Sequence, residues 1–275
     1  MNIVYKSGLS SPDLLPYSRL TEAQLQRAGG EGLFIAESIN VILAALEAGY
    51  EPVSLLTEEK HLPVIESSLG GRLSDTPVFT AEPELLESLT GYRLSRGVLS
   101  AMRRRSLPSP FDAIGGARRI AVLEGISDPT NVGAIFRSAA ALNMDAVLVS
   151  SNCCDPLYRR SARVSMGAVF RIPWAVLPCM ESDRGRADVN SLKGLGFTTA
   201  AAALTESALS VRDVRLKRAE KLAILLGAEG PGLRAETISA CDCAVRIPMA
   251  HGVDSLNVAA ASAVLFWELG NRQEP

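Results

Sequence analysis

The chain has 275 residues, of which 47% are hydrophobic and 21% are charged, and its formal net charge is −2 at pH 7. This composition is typical of a folded globular protein of one or two domains and excludes an intrinsically disordered chain. A slightly acidic chain also gives no support for nucleic-acid binding through overall charge, so any such contact has to come from local basic patches. The candidates are Arg93, Arg96, Arg103, Arg104, Arg105, Arg118, Arg119, Arg159, Arg160 and Arg163.

Residues 1–20 are polar and are interrupted by Pro12 and Pro16. They lack a basic stretch followed by an apolar run, so we expect no signal peptide. No apolar run in the chain approaches the length of a membrane span. We therefore expect a cytoplasmic protein that does not contact a membrane.

The cysteines favour a reducing compartment and no metal site. An odd number with two close pairs does not resemble a disulfide framework. The second pair could form half of a zinc site, but no second Cys/His pair lies at a suitable spacing, and the only histidines are His61 and His251. We expect unreactive thiols at the five positions, Cys153, Cys154, Cys179, Cys241 and Cys243.

Residues 1–106 predict a small α/β domain, because short apolar runs alternate with helical patterns. Strands are predicted at 33–36, 52–57, 77–80 and 97–102. Helices are predicted between Ser38 and Gly49, at 62–69 and at 83–89. Two prolines and two glycines follow within RRRSLPSPFDAIGG, residues 103–116, and predict an interdomain linker at 107–117.

Residues 118–275 predict a second and larger α/β domain. Strands are predicted at 120–123, 146–149, 169–172, 197–202, 222–226 and 244–247, with prominent helices at 132–142 and 256–269. Continuous apolar strands separated by helices indicate a mostly parallel sheet that is covered on both faces. The first strand–loop–helix lacks the G-x-G-x-x-G spacing of dinucleotide sites, which argues against a nicotinamide-dependent oxidoreductase, and no Walker-type loop occurs.

Three segments of this domain carry candidate chemistry. ISDPTNVGAIFRSAAAL, residues 126–142, predicts a helix capped by Thr130 or Asn131, with Arg137 among apolar residues. LLGAEGPGL, residues 225–233, is a strand that runs into a glycine-rich loop, and RIPMAHGVDSLNVAAASAVLFWEL, residues 246–269, is a strand, a loop and a helix. Each alone also has a structural explanation: an arginine that reaches solvent or pairs with a carboxylate, a tight turn, and a C-terminal helix that docks on the sheet.

Together and in this order, the segments closely resemble the three motifs of the SpoU (TrmH-type) RNA 2′-O-methyltransferases of the SPOUT superfamily. The resemblance covers residues 118–270. Residues 153–173 also resemble the stretch that joins the family's second and third strands. The residues that match the motifs are Asn131, Gly133 and Arg137, then Gly227, Glu229 and Gly230, then Ile247, Pro248, Ser255, Leu256 and Asn257. Residues 1–106 resemble, more weakly, the L30e/L7Ae-like RNA-binding domain that is often fused to this family, through Phe34–Ser38, Val41 and Gly97–Leu99.

The resemblance implies a SPOUT domain with a deep trefoil knot, preceded by an L30e-like α/β domain, and S-adenosylmethionine as the cofactor. It implies methyl transfer to a ribose 2′-hydroxyl, with ribosomal RNA preferred over transfer RNA. The implied catalytic residues are Asn131, Arg137, Glu229, Ser255 and Asn257. The implied cofactor contacts are Thr199, Ala200, Ala201, Leu226, Gly227, Glu229, Gly230, Ile247, Met249, Ser255, Leu256 and Asn257.

An arginine stays protonated in proteins, so we interpret Arg137 as a clamp on the phosphate beside the reacting hydroxyl rather than as a base. The resemblance also implies a homodimer, for which the helix at 256–269, with Phe266 and Trp267, is the expected contact surface. A transfer-RNA methyltransferase, a base-methylating SPOUT enzyme and a non-catalytic RNA-binding relative are the alternatives.

Overall fold

The computed structural model describes residues 1–8, 11–28, 30–73, 75–94, 96–177 and 184–271, and Cys179 lies outside them. Its strands are β1 (Asn2–Tyr5), β2 (Leu33–Glu37), β3 (Pro52–Thr57), β4 (Pro77–Thr80), β5 (Val98–Arg103), β6 (Arg119–Glu124), β7 (Ala146–Ser150), β8 (Trp174–Leu177), β9 (Phe197–Ala202), β10 (Leu209–Ser210), β11 (Lys221–Gly227) and β12 (Cys243–Arg246). Its helices are α1 (Glu22–Arg27), α2 (Ile39–Glu47), α3 (Leu62–Leu73), α4 (Pro83–Thr90), α5 (Pro110–Ala113), α6 (Pro129–Ala141), α7 (Arg159–Val164), α8 (Arg184–Gly194), α9 (Val214–Arg218), α10 (Ala235–Ala240) and α11 (Val258–Leu269).

The chain forms two compact units. The first comprises Met1–Ser106 and Leu157–Arg171, and the second comprises Leu107–Pro156 and Ile172–Pro275. The predicted linker is folded as part of the second unit. It contains α5, and its residues Ala113, Ile114 and Ala117 are buried in the core of that unit. The division into domains of separate function stays a prediction.

The first unit is built on a five-stranded sheet in the order β1-β4-β3-β5-β2. The four predicted strands are confirmed, and β5 pairs antiparallel with both of its neighbours. The polar N-terminal segment, for which no strand was predicted, supplies β1, which pairs in parallel with β4 at the sheet edge. Three of the four β1 residues are exposed, although residues 3–5 form a short apolar run, and the interpretation of residues 1–20 as polar missed this strand.

A buried carboxylate holds α7 within the first unit. Both oxygens of Glu37, which is 2% exposed, accept hydrogen bonds of 3.3 Å from the Arg163 guanidinium. Arg159 forms a 3.7 Å ion pair with the same carboxylate, and its guanidinium lies 4.2 Å from the ring centre of Tyr92. Two arginines of the candidate basic patch at 159–163 thus compensate a buried charge, whereas Arg160 is exposed.

The second unit is built on a seven-stranded, fully parallel sheet in the order β10-β12-β9-β11-β6-β7-β8. The parallel sheet is confirmed, and all six residues of β6 and all five of β7 are buried. The predicted strand at 169–172 is wrong. Ala168–Phe170 form a 3-10 turn that begins after Gly167, whose φ is +80°, and the strand starts only after Pro173, as β8.

In the part of the chain that the structure describes, no helix combines the length and apolar character of a membrane span. No group of three or more His, Cys, Asp or Glu side chains among these residues is placed to hold a metal ion. Burial raises the pKa of the Cys241 thiol to about 12 and also raises the pKa values of the Cys153 and Cys243 thiols. These thiols are therefore protonated and weakly nucleophilic at neutral pH.

Candidate active site

A cavity of about 680 Å³ lies in the second unit, where β9, β11 and β12 end. In open parallel sheets the carboxyl ends of the strands are the usual place for ligands, because the connecting loops diverge there. The walls come from the loops after these three strands and from α11. The lining residues are Ala202, Ala203, Leu204, Leu226–Leu233, Ile238, Val245, Arg246, Ile247, Met249, Asp254–Val258, Ala261 and Leu265.

The glycine loop, residues 227–233, closes on itself through its backbone. The N–H of Gly232 donates to the carbonyl of Ala228 over 2.9 Å, and these two residues form an isolated bridge. A Cβ added at Gly227 would lie 2.2 Å from the carbonyl carbon of Gly232 and from the nitrogen of Leu233. Gly227 is therefore required for closure of the loop itself, which is a different reason from the close approach of a ligand.

Replacing Gly227 by Ala is expected to destabilise the fold by about 2–3 kcal/mol, because the methyl group must displace backbone rather than a flexible side chain. Gly230→Ala is the matched variant, since its Cβ meets nothing within 4 Å and only its φ of +87° opposes the substitution, at about 1–2 kcal/mol. Urea unfolding at neutral pH measures both. A Gly230 variant less stable than the Gly227 variant would contradict this account of the loop.

A polar network joins the three candidate segments beside the cavity. The amide of Asn257 donates to Oδ1 of Asn131 over 3.1 Å and to Oε1 of Glu229. Its own Oδ1 accepts from the N–H groups of Ala259 and Ala260, at 2.9 and 3.4 Å, and so caps α11. One side chain therefore fixes the start of a helix, the glycine loop and the buried start of α6 together.

The family model of the SpoU rRNA methylases matches residues 118–267, which include this network and the whole lining of the cavity. The chain belongs to the SpoU rRNA methylase family. An uncharacterized tRNA/rRNA methyltransferase of Mycobacterium bovis is 39% identical over 240 residues, which are 87% of this chain and 81% of that relative. A 23S rRNA (guanosine-2′-O-)-methyltransferase RlmB of a Burkholderia species is 31% identical over 226 residues, or 81% of this chain and 86% of the relative.

The fold of this SpoU chain also resembles solved structures over nearly its whole length. The AdoMet-bound rRNA methyltransferase from Sinorhizobium meliloti superposes with a TM-score of 0.80 and 22% sequence identity, and the match covers 97% of each chain. At this identity the likeness concerns the fold alone. The match includes the first unit, so both α/β units have counterparts in the chain of that solved structure.

Arg137 does not join the network. It is exposed on α6 and does not line the cavity. It lies six positions after Asn131 along the helix, which places the two side chains about 120° apart around the helix axis. The helix itself is capped by Asp128, whose Oδ1 accepts from the N–H of Thr130 over 2.7 Å, so the expectation of a Thr130 or Asn131 cap is wrong. The side-chain oxygen of Asn131 instead accepts a hydrogen bond from the amide of Asn257.

Thr199, Ala200 and Ala201 lie outside the cavity lining, and as cofactor contacts they stay a prediction. All three are fully buried within β9, and the hydroxyl of Thr199 donates to Oδ2 of Asp242 over 2.9 Å. The lining begins at the end of this strand, with residues 202–204. The other predicted cofactor contacts, Leu226, Gly227, Glu229, Gly230, Ile247, Met249, Ser255, Leu256 and Asn257, all line the cavity.

Several lining residues were not predicted. Ala261 and Leu265 face the cavity from α11, and Arg246 and Asp254 add one charge of each sign. The alanines and leucines look like ordinary core residues in the sequence, so only their position next to a strand end could have identified them. Arg246 is the last residue of β12 and directly precedes Ile247 and Pro248 of the third motif. Its position in the sequence could therefore have identified it as a lining residue.

Proposed function

We propose that this SpoU chain transfers a methyl group from S-adenosylmethionine to a ribose 2′-hydroxyl of ribosomal RNA. The observation that carries the proposal is the Asn131–Asn257–Glu229 network, which brings all three family motifs together at one cavity. Relatives named 23S rRNA (guanosine-2′-O-)-methyltransferase RlmB, at 29–31% identity, support the reaction and the class of RNA.

The cavity fits such a cofactor in size and in chemistry. Leu226, Ile247, Met249 and Leu256 offer apolar walls for a purine, and the glycine loop offers backbone groups for its polar edge and ribose. Arg246 and Asp254 supply a positive and a negative charge for a zwitterionic amino-acid end. The cofactor contributes a methyl group that its sulfonium already activates.

The remaining task of the protein is to position and polarise the ribose hydroxyl. We assign the phosphate clamp to Arg137, because a guanidinium binds phosphate oxygens through two parallel hydrogen bonds and stabilises the developing alkoxide. Asn131, Glu229 and Asn257 hold the loops in register with one another, and Ser255 lies on the cavity wall within reach of the substrate.

We propose that the enzyme acts as a homodimer through α11 and α6, which pack against each other. Ala260, Val264 and Trp267 form one exposed stripe at helical spacing, in which Trp267 is 73% exposed, whereas Phe266 is buried in the core and cannot form the expected contact. An exposed tryptophan on an apolar stripe is typical of an interface centre. Such a dimer would allow Arg137 of one subunit to serve the cavity of the other.

Replacing Trp267 by Glu is expected to convert the dimer to a monomer, because the charge would have to be buried in the contact. Sedimentation velocity at micromolar concentration measures the change. Val64→Glu is the matched control, since Val64 is 45% exposed on α3, which belongs to the first unit. A wild-type protein that sediments as a monomer would contradict the dimer, and so would a Trp267 variant that remains dimeric.

The sheet order supports a knotted chain, which we also propose. Strand β11 lies between β6 and β9, and β12 lies between β9 and β10, so each of these late strands is inserted between two earlier ones, an order compatible with a knotted path. For the first unit we propose RNA binding, in which shape and exposed nucleotides rather than linear sequence are recognised. A cytoplasmic location remains a prediction that agrees with a ribosomal RNA substrate.

The decisive experiment is transfer of a labelled methyl group to unmodified ribosomal and transfer RNA, followed by analysis of the digested nucleosides. A 2′-O-methylated nucleoside from the ribosomal pool is the expected result, and label in transfer RNA or on a base would support the alternative substrates. Leu256→Asp places a charge in the proposed purine wall at a residue that is 41% exposed, so it should abolish cofactor binding without unfolding the protein.

A further inference from the structure

A second polar cluster lies behind the glycine loop and does not line the cavity. It is centred on Glu124, the last residue of β6, which is only 3% exposed. Its Oε1 accepts from the backbone N–H of Arg234 over 2.9 Å and from Nε of the same residue over 3.3 Å. Its Oε2 accepts from the hydroxyl of Thr237 over 2.6 Å. A buried carboxylate is tolerated only when its oxygens are bonded in this way.

The same residue is tied to both ends of the glycine loop. In the parallel ladder between β11 and β6, Glu124 is the register partner of Gly227, where the loop begins. Its carboxylate accepts hydrogen bonds from Arg234, the N-cap residue of α10, and from Thr237 in the first turn of α10, where the loop ends. The six residues between Gly227 and Arg234 all line the cavity.

We propose that Glu124 is a positioning residue for cofactor binding, which fixes the glycine loop in the shape that lines the cavity. This inference rests on the proposed function, because it takes the cavity as the cofactor site. The loop is then held before the cofactor arrives, and its ordering costs no binding free energy. Without the carboxylate, the end of the loop is held by the packing of Leu233 and by its connection to α10, and more loop conformations compete with the binding one.

The proposal predicts a change in the Kd and KM for the cofactor without a comparable change in kcat. Glu124→Gln keeps the size of the side chain and removes its charge, so the Kd and KM for S-adenosylmethionine should rise about tenfold, as expected for loss of hydrogen bonds to a buried charged group. At saturating cofactor, kcat should change by no more than about twofold, because Glu124 lies outside the reacting groups. The Kd for RNA should stay unchanged.

Matched variants separate a positioning role from general destabilisation. Glu236→Gln removes an exposed carboxylate from the first turn of the same helix and should leave the cofactor Kd unchanged. Thr237→Val removes only one of the bonds to Glu124 and should raise the Kd about three- to fivefold. Arg234→Gln retains the backbone N–H bond but removes the cation that pairs with the buried carboxylate at 3.3 Å, so it should raise the Kd at least as much as Thr237→Val. The Glu124→Gln/Thr237→Val pair should be non-additive in cofactor affinity, because the two residues share one contact.

Titration calorimetry with S-adenosylmethionine and steady-state kinetics distinguish the outcomes. Wild-type cofactor affinity in both Glu124→Gln and Thr237→Val would overturn the inference, and so would a loss of kcat that equals the loss of kcat/KM. If Glu124→Gln does not fold, Thr237→Val carries the same test. If Leu256→Asp binds the cofactor normally, the cavity is not its site and the premise fails as well; if only Leu256→Asp binds weakly, the inference fails and the proposed function stands.

Discussion

An Arg137→Ala variant is expected to lose methyl transfer by about a thousandfold or more in kcat, which corresponds to about 4 kcal/mol of transition-state stabilisation. Its affinity for S-adenosylmethionine should equal that of the wild type, because Arg137 does not line the cavity. The side chain is exposed on a helix whose other face is buried, so it is free to bind a phosphate that arrives with the substrate, as we propose. Arg137→Lys keeps the charge but not the paired hydrogen bonds and should retain part of the activity.

Single-turnover methyl transfer and calorimetry measure the two effects separately. Arg218→Ala removes the same charge from an exposed position on α9 and serves as the control for a general loss of attraction to RNA. Full turnover by the Arg137→Ala variant would refute the phosphate clamp. Loss of cofactor affinity in that variant would instead place Arg137 in the cofactor site.

In the proposed dimer, the position of Arg137 also predicts in which subunit it acts. Because it points away from the Asn131–Asn257 network of its own chain, it should serve the cavity of the other subunit. Mixed dimers of an Arg137→Ala subunit and an Asn257→Asp subunit would then contain one intact site, and a random mixture should recover about a quarter of wild-type activity. If Arg137 served its own cavity, both sites of the mixed dimer would be defective and the mixture would stay inactive.

The strands of both sheets were predictable where they are continuous apolar runs. Pro52–Thr57 and Pro77–Thr80 in the first unit and Phe197–Ala202 in the second even have the predicted limits. The strand predicted at 169–172 failed for a local reason. An apolar run after a glycine of positive φ continues as a 3-10 turn, and the edge strand begins after the next proline. β1 was missed because its apolar run, at residues 3–5, is short and lies in a segment that was interpreted as polar.

Within the candidate site, residue types and their order identified Asn131, Glu229 and Asn257, but they did not predict the hydrogen bonds between these residues. Their contact spans 126 residues of sequence between Asn131 and Asn257, and no spacing rule encodes it. Arg159 and Arg163 show the reverse problem, in which the sequence suggests a function that the fold does not support. They resemble an RNA-binding patch in the sequence, but in the structure both form ion pairs with the buried Glu37. Charged residues far apart in sequence can be interpreted only when their partners are known.

The second large effect concerns Asn257, whose amide donates while its carbonyl oxygen caps α11. Asn257→Asp keeps the capping oxygen but places a carboxylate against Glu229 and removes both donated bonds. We expect a loss of about 100-fold in kcat/KM with little change in unfolding free energy, since the helix cap survives and only the network is broken. Asn257→Ser also keeps a cap but introduces no charge, so it should lose about tenfold.

The repulsive part of this effect has its own test, because it depends on the charge of Glu229. Adding Glu229→Gln to the Asn257→Asp variant reverses the polarity of the pair: the new amide donates and the new carboxylate accepts. The double variant should therefore recover at least tenfold of the lost kcat/KM, although Glu229→Gln alone is deleterious. Recovery would show that the hydrogen bond between the second and third segments is what activity requires. If the double variant is instead worse than either single variant, each of the two residues has a separate task at the substrate, and the network is a by-product of their proximity.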